Sequence, residues 1–405
     1  MSKLEMTDNP DEMLFGDLLE NVVDNRGKTC PTANSGIPLI ATNCIKNDSL
    51  YPVFENLRYV SQDTYDNWFR GHPKPGDMIF VTKGTPGRVC WVPDPVNFCI
   101  AQDMVAIRAN ENKVYPKYLF AVLRAERTQA EIENLHVGSL IPHFKKGDFN
   151  DLHIPVPEPQ MQKYIGDMYF DMSLKIDLLH RQNRTLEKME ETLFRQWFIE
   201  EAEEQWEEAT IKDVCVTITK GTTPTTLGKS FTESGVNFLK AEAITDEGDL
   251  IETKFAHIDE DTHGLLNRSK LQESDVVITI AGTIGRVALI PKWILPANTN
   301  QALAILRINT EMIFPEFVYL LLKSNDVRND FEGRVVHAVQ PNLSLGEIGD
   351  LPFKVPPEQY LAKVKVVIKD IVEKKARNSY HMRTLTQMRD TLLPKLMSGE
   401  IRVPV

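Results

Sequence analysis

Gly221 to Ser230 (GTTPTTLGKS) follows the strand-like run Val214 to Thr219 and ends in Gly228-Lys229-Ser230, as a phosphate-binding loop would. Wrapping backbone N–H groups around a phosphate needs a glycine five residues before Gly228. Thr223 stands there, and Pro224 next to it removes a donor. Asp249, Glu252 and Lys254 have the residue types of a metal-dependent nuclease, but no buried strand context surrounds them, and a solvated charged strand is the competing reading. Asp94-Pro95-Val96-Asn97 is only a faint echo of an Asp/Asn-Pro-Pro-aromatic methyltransferase motif. The nine histidines are scattered singly, and H-E-x-x-H, G-x-S-x-G and G-x-G-x-x-G do not occur. Cys30, Cys44, Cys90, Cys99 and Cys215 are odd in number and never spaced C-x-x-C, which suits buried thiols in a reducing compartment better than disulfides or a zinc site. The expectation is a chain with no catalytic residues, no metal site and no cofactor of its own.

What positions the remaining polar residues is a repeat. Lys83-Gly84-Thr85-Pro86-Gly87-Arg88-Val89 returns as Ala281-Gly282-Thr283-Ile284-Gly285-Arg286-Val287, 198 residues on. From there the offset is 199: Arg108 matches Arg307, Pro142 matches Pro341, Asp151-Leu152 matches Asp350-Leu351, and Gln160 matches Gln359. Upstream, Gly36-Ile37 pairs with Gly235-Val236. Matches this scattered at constant spacing make the chain one unit written twice. Each copy opens with short β-rich runs, Gly/Pro turns and a helix after Pro116 or Pro315, an α/β (α+β) globule. A Pro-rich stop then releases about 40 residues without proline, read as one long helix. The expected order is a globule at 1–159, a helix and acidic connector at 160–208, a second globule at 209–357, a helix at 358–400 and a tail at 401–405.

Both helices carry an apolar seam at spacings of three and four. It includes Ile165, Met172, Ile176, Leu179, Leu186 and Leu193 in the first, and Val364, Ile368, Ile371, Met382, Leu385 and Leu392 in the second. Asn183, Glu190, Lys375, Asn378 and Arg389 interrupt it as register-setting residues interrupt a coiled coil. Residues 160–208 hold 6 basic and 12 acidic side chains (net −6), and 361–400 hold 9 and 4 (net +5). Opposite charge favours an antiparallel coiled coil with pseudo-two-fold symmetry and a globule at each end. Each helix packing on its own globule is the alternative.

At 405 residues and 42% hydrophobic, the chain holds two or three domains. A formal charge of −11 argues against coating nucleic acid by charge alone, so a basic patch must be local or borrowed. Apolar runs such as Val276 to Ala281 are too short for a bilayer, and MSKLEMTDNPDEM lacks a secretory signal; a cytoplasmic protein is expected. Two similar globules at fixed separation could read two DNA sites a set distance apart. Features common to both, including Thr85, Arg88, Thr283 and Arg286 on the glycine turns, would serve shared jobs, a plain hairpin turn being the alternative. Sequence readout would lie where the copies differ. The candidates there are Lys83, His143, Lys145 and Lys146 in copy one, and Lys220, Thr222, Thr223, Asn298, Asn300, Gln301, Gln340 and Asn342 in copy two.

The duplicated plan, the G-T-x-G-R turn, Gln340-Pro341-Asn342-Leu343, the Pro-Pro-Glu-Gln segment at 356–359 and the ending Leu392-Leu393-Pro394-Lys395-Leu396-Met397-Ser398-Gly399-Glu400-Ile401 together resemble the specificity subunit of type I restriction-modification systems. The resemblance implies a non-catalytic subunit with two target recognition domains, each reading half of a bipartite sequence in double-stranded DNA, and paired helices that set the spacer. It also implies two methylation subunits using S-adenosylmethionine and two restriction subunits using ATP and Mg. Copy one departs from the pattern with Ile141-Pro142-His143-Phe144, and its helix ends in Leu193-Phe194-Arg195-Gln196-Trp197 without the proline. The competing hypotheses are a two-headed protein scaffold without DNA readout and a lone nuclease using Asp249, Glu252 and Lys254.

Overall fold

The computed structural model describes residues 11–25, 27–135, 142–336 and 342–401. Two compact units form, one running to Arg181 and resuming at Asn378, the other Gln182–Arg377. The boundaries cut across both long helices, so each unit takes one globule and a piece of each helix.

In the first unit Met78–Val81 is buried at all four positions, as suits an interior strand covered on both faces. It lies in an antiparallel sheet ordered Leu19–Asp24, Met104–Ala109, Met78–Val81, Val89–Trp91. A smaller sheet places Ile37–Ile40 between antiparallel Arg58–Val60 and parallel Cys99–Ile100. Helix Pro116–Arg124 has proline in its first turn, where the missing N–H costs nothing, and buries seven of its residues. Asp11–Leu14 pairs with His153–Val156 and closes the globule. Phe15, Phe80, Phe144 and Phe149 interlock in its core.

The second unit repeats the plan with Cys215–Lys220, Leu303–Ile308, Val276–Thr279 and Val287–Leu289 in one sheet, and Ala256–Ile258, Val236–Leu239 and Ala297–Thr299 in the other. Register is kept as well as order: Met78 faces Ile107, and Val276 faces Leu306. Both opening strands carry an irregularity, between Leu19 and Asn21 and between Cys215 and Thr217. The repeated arginines have a structural role. Arg108 grips Asp77 with two bonds of 2.8 and 3.0 Å, and Arg307 grips Asp275 with 2.9 and 2.8 Å. The repeated Gly36 and Gly235 sit at φ +132° and +135°, where a Cβ would lie 2.2 Å from Val60 O and 2.5 Å from Ile258 O.

The long helices are Pro159–Arg195 and Glu358–Met397, the second continuing through Pro394. Met161, Ile165 and Tyr169 of the first, with Leu393 and Leu396 of the second, belong to the core of the first globule, and Leu392 packs against it. Phe194, Val364 and Ile368 belong to the core of the second. Between these docked portions the helices touch each other. In the first unit Ile176 and Leu179 meet Met382 and Leu385, and Arg389 reaches Ser173 Oγ at 3.5 Å. In the second, Lys375 Nζ bonds Glu190 Oε2 at 2.7 Å, and Asn183 Nδ2 bonds the Lys375 carbonyl at 3.4 Å. In the first unit residue numbers rise along one helix as they fall along the other, so these contacts are antiparallel. Ile165, Val364, Ile368 and Leu392, expected on the helix-pairing seam, also lie against globule cores, in clusters that hold residues of both helices. Ile371 is buried. Ser173 and Phe194 are buried, while Met172, Leu186 and Leu193 are half-buried. Along the first helix the buried line keeps the seven-residue spacing through Gln162, Tyr169, Ile176, Asn183 and Glu190, and the line of Met172, Leu186 and Leu193 lies at its flank. No helix among the described residues is long and apolar enough to cross a membrane.

Candidate nucleic-acid interface

Pro224–Leu227 is a short 3-10 turn, Gly228 takes left-handed dihedrals, and no helix starts at Lys229 or Ser230 to point its N–H groups at a phosphate. Glu252–Lys254 is also a 3-10 turn, not a strand. Among the described residues no cluster of His, Cys, Asp and Glu could hold a metal ion.

The sequence-predicted binding residues gather elsewhere. In an antiparallel sheet, the end of one strand lies beside the start of its neighbour. In unit one the end of Leu19–Asp24, the start of Met104–Ala109 and the end of Met78–Val81 therefore share one edge. The N–H groups of Thr82 and Lys83 donate to Asp103 O at 3.0 and 3.2 Å, Gly84 N to Pro142 O at 3.0 Å, and Phe144 N to Thr82 O at 2.8 Å. These bonds stitch the turn and the 142–146 segment onto the edge, with Lys83 bridged to His143. Phe144 is anchored in the core while His143, Lys145 and Lys146 remain exposed. A cleft of about 580 Å³ opens there, lined by Arg70, Lys83, His143, Lys145 and Lys146 and opposed by Asp24 and Asp103. Such a surface offers donors and positive charge to an anionic backbone or to base edges.

The equivalent edge of unit two uses the same frame with other side chains. Gly221 N donates to Leu303 O at 3.3 Å, Thr222 N to Thr299 O at 3.1 Å and Leu343 N to Ile280 O at 3.0 Å, while Asn342 bridges to Ala281. The mismatch between His143-Phe144 and Asn342-Leu343 thus keeps a buried apolar anchor and the bridge while changing the exposed residue from an imidazole to an amide. Lys220, Gln301 and Asn342 are exposed. Thr223 Oγ1 donates to Gln301 Oε1, Thr222 Oγ1 accepts from Arg268 at 2.9 Å, and Asn300 Oδ1 accepts from Ala302 N at 3.2 Å. Gln340 lies outside the described residues.

Two candidates occupy different surroundings from those expected. Asn298 is completely buried: its amide donates to Leu266 O at 3.1 Å, and its oxygen meets the His263 ring. With both ends of the amide engaged, it holds the strand rather than facing a ligand. Arg286, expected as a presented cation, is clamped by Asp246 at 2.6 Å and the Ile244 carbonyl at 2.9 Å. The turn itself is common to both units. Gly84, Gly87, Gly282 and Gly285 all have φ between +79° and +91°, which L side chains rarely adopt. Thr85 and Arg88 are half-buried on it, and Thr283 is exposed. Sequence reasoning missed Arg70 and Arg268, although the repeat at offset 198 aligns them.

The family model of the type I restriction modification DNA specificity domain matches residues 16–188 and again 203–378. The chain therefore belongs to the type I restriction-modification DNA specificity family, whose specificity subunits are non-catalytic components of the complex. It is 25% identical over 312 residues to the type I restriction enzyme MjaIX specificity subunit of Methanocaldococcus jannaschii, covering 72% of this chain and 70% of that one. It is 22% identical over 408 residues to the HindI specificity subunit of Haemophilus influenzae, covering 81% and 87%. Among solved structures, the type I S subunit from M. genitalium shares the fold, with a TM-score of 0.63 at 17% identity over 98% of this chain and 99% of that chain.

Proposed function

We propose that each unit reads one half of a bipartite target in double-stranded DNA through its sheet edge, and that the two long helices form an antiparallel coiled coil that sets the unread spacer. The observation that carries this reading is the convergence, in both units, of divergent polar and basic side chains onto one edge held by a common glycine turn. A shared frame with differing exposed residues suits modules that meet the same backbone but different bases. Helix contacts inside each unit support the spacer role, as do net charges of −6 and +5 on 160–208 and 361–400. The acidic chain as a whole is suited to partners that supply much of the phosphate clamp. These are two methylation subunits carrying S-adenosylmethionine, with two restriction subunits using ATP and Mg.

The test removes one heptad from each helix, 177–183 and 378–384, which keeps the phase of both seams. Seven residues at 1.5 Å each shorten the rod by about 10 Å, about three base pairs of B-DNA. Sequencing methylated adenines in cells carrying the variant should show both half-sites unchanged and the gap shorter. Altered half-site bases with the original gap refute the spacer role. Absence of any sequence-selective, salt-dependent protection of DNA by the wild-type complex refutes DNA readout and leaves a protein scaffold.

A further inference from the structure

We propose that Arg70 and Arg268 are the phosphate-gripping cations common to both units, holding the DNA backbone against each edge whatever bases the half-site contains. The inference deepens the reading of each unit as a DNA reader and rests on it.

Ser61 to Asp77 aligns with Asp259 to Asp275 without a gap, which places Arg70 on Arg268. The two arginines also share a local frame. Each follows a short helix, Gln62–Asn67 or Glu260–Leu265, whose cap residue accepts a bond from the third residue on, Ser61 from Thr64 N and Asp259 from Thr262 N. Each precedes the aspartate, Asp77 or Asp275, that anchors the sheet arginine. At the edge, Arg70 N donates to Asn25 Oδ1 at 3.1 Å, and the residue, exposed to solvent, is part of the cleft lining. Arg268 Nη2 reaches Thr222 Oγ1 at 2.9 Å.

Among the arginines repeated in the two globules, Arg108 and Arg307 are engaged by Asp77 and Asp275, and Arg286 by Asp246. Arg70 and Arg268 are exposed, and neither makes an ion pair with another described residue. They are the repeated pair that leaves a guanidinium unneutralised at the edge in both units. A group that is the same in two modules with different readouts cannot carry base identity, whereas phosphate is the same at every half-site. The planar fork of a guanidinium fits phosphate oxygens two at a time. The residues around it differ, Lys83 against Ala281 and His143 against Asn342, as readout requires.

The experiment measures binding of the full chain, in its complex with methylation subunits, to a duplex carrying the methylated motif and to a scrambled duplex, across a salt series. Arg70→Ala and Arg268→Ala should each weaken both duplexes by the same factor, on the order of tenfold, and lower the slope of log K against log salt by about 0.9, the loss of one phosphate contact. Arg70→Lys and Arg268→Lys should restore most of the slope, and the methylated motif should stay the same. Wild-type affinity and slope in the alanine variants, or a change in the methylated bases, overturns the proposal. Lys83→Ala separates the two levels. If it relaxes base preference while Arg70→Ala has no effect, the phosphate role alone falls; if the wild type itself does not distinguish the duplexes, the DNA-reader reading falls with it.

Discussion

The ion pair between Glu190 and Lys375 tests how the second unit is held to its helices. The Glu190 side chain is fully shielded from solvent and that of Lys375 is 16% exposed, with Nζ 2.7 Å from Oε2. Among the described residues Glu190 Oε1 has no hydrogen-bond partner, and Lys375, aided by the more distant charge of Lys323, supplies the main compensation for this buried carboxylate. Burial pushes the Glu190 carboxyl up against the pull of Lys375. Replacing Lys375 by Met removes the counter-charge and keeps the volume. Deleting one partner of a buried pair costs about 3–5 kcal/mol, because the other charge stays buried. For a unit of this size each kcal/mol shifts the melting midpoint by about 2–4 °C, so the unit-two transition should fall by about 10 °C while that of unit one stays in place. The double variant Glu190→Leu with Lys375→Met, which removes both charges, should recover most of the loss. The pH dependence has a definite sign. An unpaired Glu190 has a folded pKa above its unfolded value, so the variant's deficit is small below about pH 4.3 and grows as pH rises and the carboxyl must ionise. Differential scanning calorimetry across pH measures this directly. A single variant as stable as wild type at neutral pH, or a deficit that shrinks as pH rises, refutes the reasoning.

Other expectations follow from the same contacts. Arg307→Ala leaves the shielded Asp275 carboxylate with only its bond from Gln272 N and should destabilise unit two by about 3 kcal/mol, and Arg108→Ala should do the same to unit one through Asp77, which keeps only Lys74 N, each lowering its own calorimetric transition. Lys83→Ala should relax base preference in one half of the split motif and leave the other half intact, as read from the methylated sites. Arg286→Ala should act on unit-two stability through Asp246 rather than on the bases read, since its guanidinium is already engaged. Burial pushes the Cys99 and Cys215 thiols up to about 12, so both should resist iodoacetamide at neutral pH in the folded chain and react once it is denatured. Labelling of the native protein at either site, read by peptide mass, overturns that expectation.

Much of the plan is legible in the amino-acid sequence. Repeated glycines mark positions where backbone dihedrals or a close approach forbid a side chain, as at Gly36 and Gly235. Repeated apolar runs mark strands buried on both faces, and the stretch free of proline after Pro159 marks a long helix. These signals depend on neighbours within a few residues, and they survive in each copy because the same local geometry is required twice. The seam was legible as a stripe but not residue by residue, because the ends of both helices also dock on globules, whose cores share their burial.

Availability of a side chain is a different kind of property. Asn298 and Arg286 have the residue types of DNA readers, yet Asn298 bonds a carbonyl 32 positions away and Arg286 a carboxylate 40 positions away. Arg70 and Arg268 stand in loops outside the glycine turn, and they reach the same edges through residues that follow Leu19–Asp24 and Cys215–Lys220, Arg70 N through Asn25 and the Arg268 guanidinium through Thr222. The amino-acid sequence by itself determined the duplication, its elements and the turn that frames each edge, since all are set by local sterics and periodicity. Only the tertiary structure decided which polar groups remain open to a partner, since a hydrogen bond or ion pair from a remote segment neutralises a side chain without leaving any trace in its own neighbourhood of the chain.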